Sequence, residues 1–250
     1  ENPFTFPYRV WPQEARNPGS LKTLLGDGVW VYPSNQANGV AIVKPIELLD
    51  LLITNIGDYQ QQAYDYILES LKQKNPRFES GSGGMSYTVL EAPLQILNIA
   101  YPDSEMGDSI DEDVAAGLVG GRGLERIMTH KDRTRAEFKY RDVVLQDFGR
   151  IFSPDEIGKY SGKIDYILSR LRRSKGIVII YSQYIDAGVI PMALALEEMG
   201  FKRYGHASRS LFATPPPGVQ PIDAVTMKPK VGSQPFTPAT YIMITGDKAL

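Results

Sequence analysis

The clearest hydrophobic pattern of the chain begins near residue 160. In "SGKIDYILSRLRR" the apolar side chains recur at helical spacing, which predicts a helix with Ser161 as its cap. The run "IVIIY", residues 177–181, follows that helix and is rich in β-branched side chains. A continuous run of this kind is typical of a strand buried on both faces of a parallel sheet.

A second helix and a second strand are predicted after this run. The helix covers residues 189–199, because Pro191 falls in its first turn and Gly200 follows its last residue. The strand is "YIMIT", residues 241–245. The order strand, helix, strand predicts a parallel crossover in a doubly wound α/β layer, which binds ligands at the carboxyl ends of its strands.

The connection between this helix and the second strand is long and rich in proline. Seven prolines lie between Thr214 and Pro238, and they exclude a core helix there. We therefore expect a surface insertion between residues 206 and 240.

The patterns before residue 160 predict a smaller, mostly helical region. Residues 1–55 combine an irregular start with two β-rich runs typical of a hairpin and a short apolar helix. Residues 56–159 are predicted to be a helical linker or insertion, and residues 160–250 an incomplete sheet domain. Within the linker we expect a helix from Asp58, a flexible connection at 75–86, a loop with one short helix at 103–123, and one or two amphipathic helices at 123–150.

Composition narrows the functional classes only slightly. The chain has 250 residues, a net charge of -2 and no cysteine, so disulfides and thiolate metal sites are excluded. Its histidines, His130 and His206, are far apart in sequence, and no apolar run reaches the roughly 20 residues that span a bilayer. We expect a soluble, intracellular protein without a membrane partner. The absence of an initial methionine favours an internal piece of a longer protein.

One segment carries a local excess of positive charge, although the chain as a whole is nearly neutral. Residues 163–175 have a net charge of +4, with one acid, Asp165. The cations are Lys163, Arg170, Arg172, Arg173 and Lys175. Such a cluster can hold phosphates by counterion release, and it can equally be a solvated helix end whose cations are favoured by the helix dipole.

Ser182 and Gln183 directly follow the first predicted strand. A hydroxyl and an amide at the carboxyl end of a strand can bind a phosphate oxygen or fix a neighbouring loop. The alternative is that Ser182 only caps the turn that follows it.

Four segments together resemble a known family. "SGKIDYILSRL", "GIVIIYSQY", "ALALEEMGFKRYG" and "YIMITGD" are similar, in order and spacing, to the opening of the second RecA-like domain of superfamily 2 helicases and Swi/Snf-type remodelling ATPases. The amino-acid sequence around Ser182 and the presence of the proline-rich insertion most resemble the helicases of large nucleocytoplasmic DNA viruses. "DYQQQAYDYIL" resembles the helix that leads out of their first RecA-like domain. The resemblance covers residues 56–72 and 160–250, under half of the chain.

The resemblance implies a partial RecA-like parallel sheet with flanking helices and a role as a DNA translocase fragment. The matched positions that would contact the nucleic-acid backbone are Ser182, Gln183, Thr245 and Gly246. The basic residues expected to assist are Lys163, Arg170, Arg172 and Arg173. DNA would be the main partner, with viral transcription or replication proteins beside it, in the host cytoplasm, a viral factory or the virion.

The motifs of ATP hydrolysis are missing from this stretch of sequence. No G-x-x-x-x-G-K-[ST] occurs, and the glycine-rich "ESGSGGMS" and "VGGRGLERI" lack the required lysine. The acidic "DSIDED" and "SPDEIGK" do not follow a buried strand that would aim a carboxylate at Mg²⁺. ATP and Mg²⁺ would thus bind a site completed elsewhere in a longer protein, and hydrolysis by this segment alone is not expected.

Two alternatives to the motor fragment remain open. One is a catalytically inactive helicase-like subunit of a structural or transcription complex. The other is a Rossmann-like small-molecule enzyme that uses Ser182 and Gln183 to bind the phosphate of a sugar phosphate. The latter predicts a closed pocket at the end of the strand 177–181.

Overall fold

The computed structural model describes residues 52–74, 87–131, 136–205 and 209–246. The chain divides into two units, Glu1–Ile53 and Thr54–Leu250, and every element below belongs to the second. The hairpin and short apolar helix predicted within residues 1–55, and the connection predicted at 75–86, lie outside the described residues. The described part is mixed α/β, as expected.

Helices form most of the regular structure of this unit. In chain order they are α1 (Asp58–Lys74), α2 (Tyr87–Ile96), α3 (Glu112–Gly117), α4 (Gly120–Ile127), α5 (Asp142–Asp147), α6 (Ile157–Tyr160), α7 (Gly162–Leu171) and α8 (Ile190–Met199). A π-helical turn, Ile185–Val189, leads directly into α8. The strands are β1 (Met128–Lys131), β2 (Ala136–Tyr140), β3 (Lys202–Arg203) and β4 (Thr240–Tyr241).

Helix α1 confirms the first helix predicted after residue 56. Its buried polar residues are Gln60 and Ser70, and its buried apolar residues are Ala63, Tyr66 and Ile67. These side chains pack with α2 and α3 in a small apolar cluster. An acid opens the helix and lysines close it, in the sense that the helix dipole favours.

Helix α8 lies in the larger hydrophobic core, and all ten of its residues are buried. Pro191 stands in the first turn, where its missing N–H costs no helical bond. Gly200 ends the helix at φ 102°, and a Cβ there would lie 2.4 Å from the carbonyl oxygen of Gln220. The predicted helix and both of its ends are therefore confirmed.

The one or two amphipathic helices predicted within residues 123–150 are present as α4 and α5, but a strand pair that was not predicted lies between them. β1 and β2 form an antiparallel pair in which Met128 faces Tyr140, and only α4 and α5 are helical around it. In β2, Phe138 and Tyr140 are buried while Glu137 and Lys139 are exposed, which is a two-residue period. In the sequence, this alternation of charged and apolar residues is too short to distinguish a strand from a helix. Residues 103–123 likewise contain α3 and the start of α4 rather than one short helix.

The prediction that residues 177–181 are a strand buried on both faces is also wrong. The segment belongs to no helix or strand and forms no strand pairing within the described residues, although its side-chain exposure alternates as in an extended chain. Ile177, Ile179 and Tyr181 are 96%, 89% and 82% exposed, whereas Val178 and Ile180 are 44% and 39% exposed. The alternation gives one outward and one half-protected face. Burial of the outer face requires a covering element, which a run of apolar residues cannot itself provide.

The prediction of a second buried strand at residues 241–245 is wrong for most of its length. Only Tyr241 is in a strand, where β4 pairs in parallel with β3. Beyond it Ile242 and Ile244 are 66% and 88% exposed, while Met243 packs against the core. The described residues thus hold no parallel sheet that joins 177–181 to 241–245.

Asp223 organises the proline-rich insertion. Its carboxylate accepts hydrogen bonds from the backbone N–H groups of Val225, Thr226 and Thr237 at 2.9–3.0 Å. The described residues of the insertion, 209–239, are irregular and contain no helix, as their prolines predict. Among the described residues, no helix is both long and apolar enough to cross a membrane.

Candidate nucleic-acid interface

The Ser161-Gly162-Lys163 element lies at the start of α7, where its polar groups bind neighbouring segments. The Ser161 Oγ accepts a hydrogen bond from the N–H of Ile164 at 3.0 Å and donates one to the carbonyl of Asn98 at 2.5 Å. The Lys163 Nζ donates to the Asn98 Oδ1 at 2.8 Å. Partial burial lowers the pKa of Lys163 below its usual value. This element is therefore a junction between α7 and the segment after α2.

Gly162 completes the junction. Its N–H donates to the Gln60 Oε1 at 3.0 Å, and the Gln60 Nε2 donates to the carbonyl of Ile96 at 2.7 Å. A Cβ on Gly162 would lie 2.0 Å from the carbonyl oxygen of Asn55. Glycine is required here by close backbone packing.

Arg170 lies on the exposed surface of α7 near its end. Its Nε donates to the Tyr166 hydroxyl at 2.7 Å, and its guanidinium carbon lies 5.2 Å from the centre of the Tyr166 ring. The contact spans one helical turn and holds Arg170 on the surface. Sequence reasoning did not single out Tyr166, although its i, i+4 spacing from Arg170 was a usable signal.

The remaining cations follow α7 and lie in solvent. Arg172, Arg173 and Lys175 are all exposed. Lys163 lies about 10 Å from Arg170 along the axis of α7, since each helical residue rises about 1.5 Å. We call the group Arg170, Arg172, Arg173 and Lys175 the basic cluster. Lys163 lies about two helical turns from Arg170, the nearest member, and is bound to Asn98.

Ser182 forms a local turn. Its Oγ accepts a hydrogen bond from the N–H of Tyr184 and donates one to the carbonyl of Tyr184, both at 3.1 Å. A Cβ on Gly188 would lie 2.1 Å from this oxygen, so the hydroxyl is enclosed by the π-helical turn. The geometry matches the alternative in which Ser182 caps the turn that follows it.

Gln183 is exposed beside that turn, and Gly246 is exposed with open space around its Cα. Thr245 is half-buried. Within the described part of the chain, strand pairing does not align these residues with Ser182 along one sheet edge, because the two predicted parallel strands do not pair there.

Two motifs considered for ATP chemistry have structural roles. In the acidic stretch, Arg126 bridges Asp103 and Asp113, while Asp111 caps α3. In "VGGRGLERI", a Cβ on Gly123 would lie 2.3 Å from the Tyr101 ring. The described residues contain no group of three or more histidine, aspartate or glutamate side chains arranged to hold a metal ion.

The glycine-rich start of α4 also borders a cavity of about 390 Å³ between helices α1 to α4. Most of its walls are apolar, and Lys74, Glu112 and Arg122 lie at its rim. Lys74 is bound to Glu112 at 3.1 Å, and Arg122 lies 3.5 Å from Asp113. The cavity is formed by a different part of the fold from Ser182 and Gln183.

No family model, curated protein or solved structure significantly matches this chain.

Proposed function

We propose that this chain is a nucleic-acid-binding part of a superfamily 2 helicase-like protein, and that the basic cluster contacts the phosphodiester backbone of DNA. The observation that carries the proposal is the exposure of four cations within residues 170–175, in a stretch from 166 to 185 that contains no acid. A partial RecA-like second domain and an ATP–Mg²⁺ site elsewhere in a longer protein belong to the same proposal.

Exposed cations without acidic neighbours favour phosphate binding for a physical reason. A cation that replaces a counterion on DNA releases it, and affinity then falls with salt in proportion to the number of phosphates contacted. Stabilisation of a helix by its dipole is confined to the last turn. It accounts for Arg170 and Arg172, but Lys175 lies beyond that range.

The residues named by the resemblance and those named by the local positive charge have unequal roles in this proposal. Arg170, Arg172 and Arg173 make the main phosphate contacts, and Gln183 adds an amide donor from the adjoining turn. Ser182 supports that turn. Lys163, already bound to Asn98, contributes mainly long-range charge, and Thr245 and Gly246 form a separate contact.

The test is DNA binding as a function of salt. Arg172→Ala/Arg173→Ala is compared with Lys228→Ala/Lys230→Ala, which removes the same charge from exposed positions in the proline-rich insertion. For duplex DNA, we expect the first variant to reduce the slope of log affinity against log salt by about 2, and the second to leave it unchanged.

Equal slopes for all three proteins would overturn the assignment of phosphate contacts to the basic cluster. A reduced slope in both variants would instead attribute binding to net charge alone. Circular dichroism of each protein checks that the substitutions leave the fold intact.

A further inference from the structure

The segment 177–181, which follows the basic cluster, presents an unusual surface. Ile177, Ile179 and Tyr181 point outward with at least 82% of each side chain exposed. Large apolar side chains exposed together mark interaction sites more often than chance, because their burial is favourable.

The backbone of this segment is also available. Among the described residues, no backbone hydrogen bond is made by 177–181. An extended segment with unpaired N–H and C=O groups and alternating side chains is a template for another strand.

Both ends of the segment are anchored. Leu168 and Leu171 of α7 are buried on one side, and Ala187 and Ile190 are buried on the other. Gly176, just before the segment, has a left-handed φ of 85°, and the Ser182 turn follows the segment. Along the chain, the nearest buried residues are Leu171 before the segment and Ala187 after it.

We propose that residues 177–181 accept an extended segment of a partner protein by β-strand addition, and that this partner segment carries acidic residues next to its apolar run. The apolar run would cover Ile177, Ile179 and Tyr181. The acids would lie beside Arg172, Arg173 and Lys175, so this partner and DNA would compete for the same cations.

Charge complementarity selects this occupant over a second copy of the chain. In a parallel pairing, a second copy brings four cations against the same four cations. In an antiparallel pairing, the residues beyond Tyr181 offer one acid, Asp186, before position 190. A partner with several acids matches the cluster, and like charges placed opposite each other destabilise a strand pair.

The test uses a designed ten-residue peptide in which alternating valine and threonine are followed by three glutamates, the order that an antiparallel pairing requires. A peptide with lysines in place of the glutamates is its control. Fluorescence anisotropy measures binding to the full chain, and isotope-edited infrared spectroscopy of labelled residues 177–181 detects strand pairing. We expect the acidic peptide to bind at least about tenfold more tightly than the lysine peptide, with affinity that falls with salt.

Ile179→Pro removes one N–H from an exposed, unpaired position and should weaken peptide binding about tenfold, because a proline cannot donate to a ladder. Ile53→Pro, at another exposed isoleucine, is the matched control. The proposal would be overturned by equal binding of both peptides or by the absence of an infrared shift. It would also be overturned by a concentration-dependent dimer that Ile179→Pro abolishes, because that result would identify a second copy of the chain as the occupant.

The peptide-binding experiment tests this proposal independently of the DNA-binding proposal. Ile179→Pro retains every cation, so the salt slope of DNA binding should not change. Loss of DNA binding in this variant would contradict the assignment of the segment to a protein partner.

Discussion

Gln60 accepts a hydrogen bond from the N–H of Gly162 at 3.0 Å, although 102 residues separate the two in sequence. The same side chain donates to the carbonyl of Ile96. Because Gln60 is fully buried, one amide joins α1 to the end of α2 and the start of α7. The junction positions the helix that carries Arg170.

Gln60→Ala should lower the free energy of unfolding by about 2–6 kcal/mol, since it leaves two buried backbone groups without partners at about 1–3 kcal/mol each. Urea unfolding monitored by circular dichroism measures the change. Gln61→Ala makes the same chemical change at an exposed neighbour and should cost less than about 0.5 kcal/mol. Equal effects of the two substitutions would show that the junction contributes little.

Glu198 gives a second prediction, which concerns pH. Its carboxylate is buried in α8, accepts a hydrogen bond from the Tyr140 hydroxyl at 3.0 Å and lies 3.5 Å from Arg150. Burial raises its pKa above the ordinary 4.5, and Arg150 and Tyr140 offset the effect only in part. The stability associated with this group is therefore fully present below pH 4.5 and is lost as the pH rises through the higher folded value.

Glu198→Gln should remove this loss. The stability of the variant relative to the unsubstituted protein should rise with pH from 4.5 upward, as measured by urea unfolding at several pH values. Glu105→Gln, at an exposed position, should show no such trend. A relative stability of Glu198→Gln that falls over this range would contradict the raised pKa.

The contrast between α8 and residues 177–181 explains how far sequence reasoning reached. For α8, local signals coincide: Pro191 fits a first turn and Gly200 fits a left-handed end, so both boundaries are set by the residues themselves. Ser161 at the start of α7 is a similar case. Caps and periodicity act over a few residues, and a single sequence displays them.

The outer face of 177–181 depends on what packs against it, which no local signal specifies. Gln60 and Glu198 illustrate the same limit at the level of single side chains, because their partners lie 36 to 102 residues away. The cations at 170–173 were identified because charge and exposure follow from composition. The turn made by Ser182 was one of two open interpretations until its hydrogen bonds were known.

Asp223 gives a third prediction, for the proline-rich insertion. Its three backbone donors lower the pKa of Asp223 from 3.8 to about 2, with Thr237 the largest contributor. The stability it provides is present above pH 3.8 and is lost as the pH falls through about 2. Asp223→Ala should speed amide hydrogen exchange at Val225, Thr226 and Thr237 at neutral pH, whereas Asp155→Ala, at an exposed position, should not. Unchanged exchange at all three amides would remove Asp223 as the organiser of this segment.

Ser182 gives the last prediction, which distinguishes a structural hydroxyl from one that binds DNA. Because its Oγ is bound to both backbone groups of Tyr184, Ser182→Ala should lower the free energy of unfolding by about 0.5–1.5 kcal/mol. The affinity for duplex DNA should change less than about twofold, since each tenfold change needs about 1.4 kcal/mol of lost contact energy. Ser104→Ala, at an exposed position, provides the control for both measurements. A large loss of DNA affinity with unchanged stability would instead make the hydroxyl a direct phosphate ligand, as the family resemblance implies, and would require the Ser182 turn to open when DNA binds.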